Sequence, residues 1–264
     1  MIKVAGMHDQ DDMKTEGQER FRTIILAAGK GKRMKSHLAK VLHPVCGVPM
    51  LVHSVAAART AGAQKIVVVI GYQAERIRGL FGKDELVFVE QRDLLGTGHA
   101  VLQAREVFKN YTGTVVILCG DVPLIRPETV HALYDRHRSE GAEVTVLTTI
   151  PADPSGYGRV VKAKDGRVLK IVEEKDATTE EKQIREINTG IYCVESRFLF
   201  DAVSSLGNRN AQGEYYLTDI VEGACNNGRR VISALASDPE EVMGINTQDE
   251  LENASHRMKE RGRP

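Results

Sequence analysis

Five cations fall within eleven residues of this chain: Lys30, Lys32, Arg33, Lys35 and Lys40. They follow Thr23-Ile24-Ile25-Leu26-Ala27-Ala28, an apolar run that breaks abruptly into Gly29-Lys30-Gly31. Such a run ending in Gly-x-Gly predicts a buried strand feeding a tight turn. Lacking a Cβ, Gly29 and Gly31 let the backbone bend sharply and approach a ligand closely. Backbone amides in a turn of this kind form an anion-binding concavity, and the crowded cations point to a polyphosphate. Two common phosphate loops are excluded. A Walker A loop needs Gly-x-x-x-x-Gly-Lys-Ser/Thr, and nothing here fits it. The dinucleotide fingerprint needs a third glycine where Met34 stands. Taken alone, the turn reads equally as a basic surface loop.

Composition bounds the rest. The 264 residues suit one large α/β domain or two small ones. Hydrophobic residues make up 42% and charged residues 27%, which argues against disorder. Lys plus Arg equals Asp plus Glu, 36 each, so no global field recruits nucleic acid or anionic lipid. No apolar run approaches the length of a membrane span. Residues 1–20 are polar and acidic, carry no apolar signal region, and read as a flexible extension. Cys46, Cys119, Cys193 and Cys225 are scattered, the pattern of reduced thiols in a cytoplasmic protein.

The elements that must hold the turn follow in order. Residues 48–61 predict a helix closed by Gly62, with Pro49 in its first turn. Lys65 to Ile70 is a continuous apolar, β-branched run, a strand buried on both faces. A short helix covers 73–81 and a strand Leu86 to Val89; the stretch from Glu90 to Ala100 then opens a helix to about Phe108. A strand over Val115 to Leu118 ends in Cys119-Gly120-Asp121-Val122-Pro123-Leu124. Residues 127–140 predict a helix and 143–150 a strand. Alternation at this spacing predicts βαβ units and a parallel sheet. Ligands then sit beyond the carboxyl ends of the strands, where Gly29, Gly96 and Asp121 fall. The second half predicts a hairpin, 159–164 and 167–173, turning at Asp165-Gly166. A polar stretch at 177–183 reads as a mobile loop, and strand resumes over 186–192. Helices near 196–205 and up to Asn226 flank a late strand, Val231 to Ala236. The last helix opens with a capping box, Thr247 and Glu250.

The ordered set of motifs resembles the uridyltransferase domain of the bifunctional N-acetylglucosamine-1-phosphate uridyltransferase/glucosamine-1-phosphate acetyltransferase family. The carriers are Leu26-Ala27-Ala28-Gly29, Arg33-Met34, Lys40-Val41-Leu42-His43, Gln91, Leu95-Gly96-Thr97-Gly98-His99-Ala100 and Gly120-Asp121-Val122-Pro123-Leu124. They continue with Gly156-Tyr157-Gly158-Arg159, Glu173, Lys175-Asp176-Ala177, Glu186-Ile187-Asn188-Thr189-Gly190, Gln212-Gly213-Glu214-Tyr215-Tyr216 and Asn246. The set runs over about residues 22–250, and its last block favours this branch over glucose-1-phosphate or mannose-1-phosphate relatives. The resemblance implies a Rossmann-like mixed, mostly parallel sheet flanked by helices, of the nucleotide-diphospho-sugar transferase type. A smaller, hairpin-containing subdomain would bind the sugar. The nucleotidyltransferase domain would span 21–250, with a nucleotide half at about 21–150 and a sugar half at about 151–245. A C-terminal helix would cover 247–264. The family's hexapeptide β-helix has no counterpart in the sequence, so acetyltransferase activity is not expected, and a monomer or weak oligomer is.

The reaction so implied joins UTP and N-acetylglucosamine-1-phosphate into UDP-N-acetylglucosamine and pyrophosphate with Mg²⁺. Arg33 and Lys40 would act on the reacting phosphates. Leu26, Ala27, Ala28, Gly29, Gln91, Gly96 and Thr97 would bind the nucleotide. Gly120, Gly158, Glu173, Asn188 and Asn246 would bind the sugar, and Asp121 with Asn246 would hold the metal. By themselves, Asp121 reads as a turn cap as readily as a ligand, and Gly-Thr-Gly reads as turn chemistry. Tyr157 packs on the sugar or anchors its loop; His99 reads as structural. The chain departs from the family at Lys32, Ala39, Leu94 and Cys119, where threonine, proline, a second glutamine and often tyrosine are usual. Those changes motivate one alternative, a nucleotide-sugar-binding relative without turnover; a milder rival is the same reaction on another sugar phosphate such as glucose-1-phosphate.

Overall fold

The computed structural model describes residues 21–82 and 85–262; the extension read at 1–20 lies outside the described residues. The strands are β1 (Arg22–Ala27), β2 (Pro44–Val45), β3 (Val48–Pro49), β4 (Lys65–Ile70), β5 (Val87–Glu90), β6 (Thr114–Cys119), β7 (Val144–Thr149), β8 (Arg159–Lys162), β9 (Val168–Val172), β10 (Ile187–Glu195) and β11 (Val231–Leu235). The helices are α1 (Met50–Thr60), α2 (Ala74–Arg78), α3 (Thr97–Leu102), α4 (Arg105–Phe108), α5 (Pro127–Ser139), α6 (Ser196–Ser204), α7 (Asp219–Asn226) and α8 (Gln248–Arg261).

The main sheet runs β11-β7-β10-β6-β1-β4-β5, with the β8–β9 hairpin joined through β10. β1 lies between β4 and β6, parallel to both. Its residues alternate between two cores, as the period of two in a strand requires. Ile25 packs with Val68, Leu118 and Leu133 on one face. Ile24 packs with Val67, Ile117, Leu199 and Ile220 on the other. Helices therefore cover both faces, which is why the central strands are almost wholly apolar. β10 enters antiparallel between β6 and β7, so the sheet is mixed but mostly parallel.

Three local differences from the sequence reading have physical causes. Val48 and Pro49 pair with Val45 and Pro44 as a hairpin, so the helix starts at Met50. The helix expected through Phe108 breaks after Leu102. There the Gln103 side chain donates to the His99 carbonyl at 3.0 Å, taking the acceptor that a continuing α-helix would use. The stretch 177–183, read as a mobile loop, holds a 3₁₀ turn, Glu181–Gln183, tied down by a Lys170–Glu181 ion pair at 2.9 Å. A small third core of Val45, Met50, Leu124, Ile245 and Ala254 fastens α8 beside the loop that follows β6.

Candidate active site

Arg33 sits on a 3₁₀ turn, Lys32–Met34, at the tip of β1, and Lys40 opens a second such turn, Lys40–Leu42. Met34, almost fully buried, anchors the first turn. Gly31 makes the approach of the two turns possible. It sits at φ +72°, and a Cβ there would lie 2.5 Å from Lys40 Cβ. Gly29 is different: a Cβ would meet nothing within 4 Å, so that side of the loop is open. The loop is lashed to its neighbours by Gly120 N–H donating to the Leu26 carbonyl at 2.9 Å and Tyr72 N–H to the Ala28 carbonyl at 3.0 Å.

Four residues from three distant parts of the chain meet here. Lys40 pairs with the Asp121 carboxylate. Its ammonium also donates to Asn246 Oδ1 at 2.5 Å, and Arg33 Nη2 donates to the same oxygen at 2.8 Å. Asn246 is held by its own loop. Its Nδ2 donates to the Gly244 carbonyl at 2.8 Å and its N–H to Glu250 Oε2 at 2.5 Å. The Thr247–Glu250 capping box expected from the sequence is present. Ile245 N–H donates to the Asp121 carbonyl at 2.9 Å, so the loops carrying Asp121 and Asn246 are stitched together. The result is a cavity of about 290 Å³ lined by Leu26, Ala27, Gly29, Gly31, Arg33, Lys40, Asp121 and Asn246 among others.

Asp121 and Asn246 offer one carboxylate and one amide oxygen, both hard donors. Mg²⁺ takes few protein ligands of this type and completes its shell with water and phosphate oxygens. The Lys40 ammonium already bonds to both, so the fold defines a position where a cation satisfies the two oxygens together. This donor pair fits a divalent ion. Among the described residues no group of three or more His, Cys, Asp and Glu forms a larger metal cluster.

Gln91 is buried at the end of β5. Its amide nitrogen donates to the Gly96 carbonyl at 2.9 Å and faces His99 Nδ1 at 3.1 Å. The donor half of an amide suited to a uracil edge is thus engaged within the loop. His99 is structural in this arrangement. Gly96, at φ +108°, has no room for a Cβ, which would lie 2.6 Å from the Tyr215 carbonyl. Tyr215 N–H donates to the Leu95 carbonyl and Gly98 N–H to the Tyr215 carbonyl, each at 2.8 Å. The Thr97 hydroxyl accepts from Leu217 N–H at 3.0 Å. These three bonds explain why Leu-Gly-Thr-Gly and Glu-Tyr-Tyr occur together in one chain.

On the far side, Asn188 N–H donates to the Gly158 carbonyl at 2.9 Å, and Gly190 N–H donates to Asn188 Oδ1 at 3.0 Å. A Cβ on Gly158 would lie 3.4 Å from Glu173 Oε2, which places those two side by side. Burial pushes the Glu173 carboxyl above the usual carboxylate range; Asp219, Asp176 and Glu214 add to this, while the Thr218 hydroxyl, donating to it at 3.1 Å, opposes it. Burial lifts the Tyr157 phenol to about 12. Glu250 and Asp121 act on Tyr157 in the same sense and Arg33 against it, so the phenol is within electrostatic reach of the charged cluster. Thr218 escaped the sequence reading: nothing local distinguishes it from the other residues that lead into α7.

Residues 23–188 match the MobA-like NTP transferase domain family, and the chain belongs to that family. Within it, the chain groups with proteins named bifunctional protein GlmU. That of Desulfotalea psychrophila is 47% identical over 238 residues, covering 90% of this chain and 70% of that protein. Those of Geobacter metallireducens and Geobacter sulfurreducens are 54% and 52% identical, over 90% and 92% of this chain. The chain spans about half the length of these two relatives, 50% and 51%. A crystal structure of UDP-glucose pyrophosphorylase complexed with UDP-glucose shares the fold, with a TM-score of 0.73 over 92% of this chain at 17% identity. The Rossmann-like, mostly parallel sheet implied by the sequence resemblance is therefore the observed one. No helix among the described residues is long and apolar enough to cross a membrane.

Proposed function

We propose that this chain transfers UMP from UTP to N-acetylglucosamine-1-phosphate, releasing pyrophosphate, with Mg²⁺ and in the cytoplasm. The observation that carries this reading is the meeting of Arg33, Lys40, Asp121 and Asn246 at the carboxyl ends of β1 and β6. An oxygen of the sugar phosphate attacks the α-phosphorus, and the bond to the β-phosphate breaks in line. Phosphate transfer of this kind asks for positioning and charge stabilisation rather than a covalent nucleophile. The attacking phosphate is already anionic, so no general base is required. Arg33 presents a planar fork that grips phosphate oxygens in pairs. Lys40 supplies a point charge beside it. Asp121 and Asn246 would hold the metal, which when bound offsets charge developing on the phosphates.

Leu26, Ala27, Ala28, Gly29, Gln91, Gly96 and Thr97 line the nucleotide side in this reading. Gly120, Gly158, Glu173, Asn188 and Asn246 line the sugar side. The nucleotide half, about 21–150, then contributes the triphosphate grip, and the sugar half, about 151–245, the acceptor pocket. Exposed Leu94, at the place of a glutamine usual in the family, supports a weaker hold on the base than two glutamines give. Pyrophosphate release tests the reading over a panel of nucleoside triphosphates and sugar-1-phosphates. The expected result is release only with UTP, N-acetylglucosamine-1-phosphate and Mg²⁺ together. Equal or faster release with glucose-1-phosphate would transfer the assignment to that sugar. Binding of UDP-N-acetylglucosamine with no release on any substrate would make the chain a sensor.

A further inference from the structure

Among the buried hydroxyls without a well-formed hydrogen bond in the described residues, that of Tyr192 belongs to the largest side chain and has no evident structural purpose. Tyr192 lies on β10, opposite Ile117 of β6 and Val146 of β7, and is 1% exposed. Its ring packs in the core beside Ile117, Val146 and Val194. Its hydroxyl makes no hydrogen bond of good geometry among the described residues. A phenylalanine would fill the same core without leaving a polar atom dry, and native interiors rarely keep such an atom without a reason.

The surroundings of this hydroxyl supply a reason. The side chains acting on it are Glu173, Cys119, Asn188 and Asp219. Two of these, Glu173 and Asn188, are the side chains assigned above to the sugar. Cys119 stands where tyrosine is often found in related sequences. Its thiol is folded back against β10, with Sγ 3.4 Å from the Gly190 carbonyl, and takes no part in lining the phosphate cavity. The phenol often found on β6 in related sequences is absent here, while a phenol on the adjoining β10 lies within reach of Glu173 and Asn188.

We propose that Tyr192 is a specificity-determining residue of the sugar subsite, its hydroxyl hydrogen-bonding the seated sugar phosphate between Glu173 and Asn188. The assignment rests on the functional reading above. In the free protein the hydroxyl is withheld from water and has only a poorly aligned contact with the Asn188 side chain; the ligand supplies a well-aligned partner. The hydroxyl thus favours the ligand-bound state without favouring the fold.

Tyr192→Phe separates the two roles. Steady-state pyrophosphate release is measured while varying the sugar phosphate and UTP in turn, beside thermal melts with and without UDP-N-acetylglucosamine. The expected result is a KM for the sugar phosphate raised about fivefold or more, as loss of one ligand hydrogen bond gives. The KM for UTP stays unchanged, the melting temperature of the free protein is equal or higher, and the shift produced by the nucleotide sugar is smaller. An unchanged sugar KM overturns the assignment. So does a lower melting temperature with both KM values raised alike, which marks a packing role. Cys119→Ala serves as a control and leaves the sugar KM within about twofold, as expected of a side chain that touches no ligand. A wild-type protein that neither releases pyrophosphate nor binds a nucleotide sugar refutes the functional reading itself, and this assignment with it. Activity in the wild type with no change in Tyr192→Phe refutes this assignment alone.

Discussion

The proposed phosphate end and the proposed sugar end of the site are held by different means. At the phosphate end, charged side chains order one another: Lys40 bonds to Asp121 and Asn246, and Arg33 joins at the same amide oxygen. At the sugar end, Gly158 and Asn188 are fixed by main-chain bonds where β8 meets β10, and Glu173 is fixed by burial and a hydroxyl. The first is a cluster of compensated charges whose partners would change on binding of a phosphate in the proposed reading. The second is a frame set by the sheet. Losses at the phosphate end should therefore appear as rate, and losses at the sugar end as acceptor affinity and pH response.

The largest effect is expected for Asp121→Ala, which removes the only carboxylate lining the phosphate cavity among the described residues. Turnover should fall by about a hundredfold or more, the scale of losing one electrostatic stabiliser, in the pyrophosphate-release assay. Arg33→Ala should behave alike. Full activity in Asp121→Ala would remove the metal assignment and with it the contrast between the two ends.

A smaller loss is expected for Gly31→Ala. The added methyl group meets Lys40 and a backbone at φ +72°. Turnover should drop about tenfold, since small displacements of a positioned charge cost this much or more. Urea unfolding should show a loss of about 1 kcal/mol from the disfavoured backbone region. Wild-type turnover would show that Lys40 adjusts freely and that the cluster needs no fixed approach.

The smallest effect concerns Glu173 and sharpens the contrast from the sugar side. Its carboxyl is pushed above the usual range by burial, so the folded state holds the proton more tightly than the unfolded state. The stability this gives is present below the ordinary carboxylate pKa and is lost as pH rises through the raised value. Glu173→Gln should abolish that loss. Denaturation curves taken across the acid range should show wild type falling relative to the variant as pH increases, with the sugar KM raised in the variant at neutral pH. A pH-independent difference would place Glu173 in contact with solvent.

Much of this was legible in the sequence because the signals are local. Lys65–Ile70 forms the strand its β-branched run predicts, residue for residue. Asp165-Gly166 turns the predicted hairpin, with Gly166 N–H donating to the Ala163 carbonyl. Gly-x-Gly after an apolar run marks the tight turn that ends β1. What escaped is long-range. Arg33 and Asn246 are 213 residues apart, and only the ordered family motifs put them in one site. That Gly31 makes room for Lys40, and that Gly96 yields to the Tyr215 backbone, depend on approaches between segments that no spacing encodes. The division of the last block's work was hidden for the same reason: Tyr215 acts through its backbone, whereas the neighbouring Tyr216 donates its hydroxyl to Asp176 at 3.1 Å.

The clasp between Asn246 and Glu250 bears on how the protein is made. During synthesis the amino-terminal strands can pair while the ribosome is still reading the rest, since domains form progressively from that end. The oxygen shared by Arg33 and Lys40 arrives only with residue 246, and the cap that orients it only with residue 250. In the proposed reading, a chain lacking those residues would contain every strand of the sheet and all five cations of its first loop, yet have no finished seat for a metal ion. Competence for chemistry would switch on within a few residues of translation.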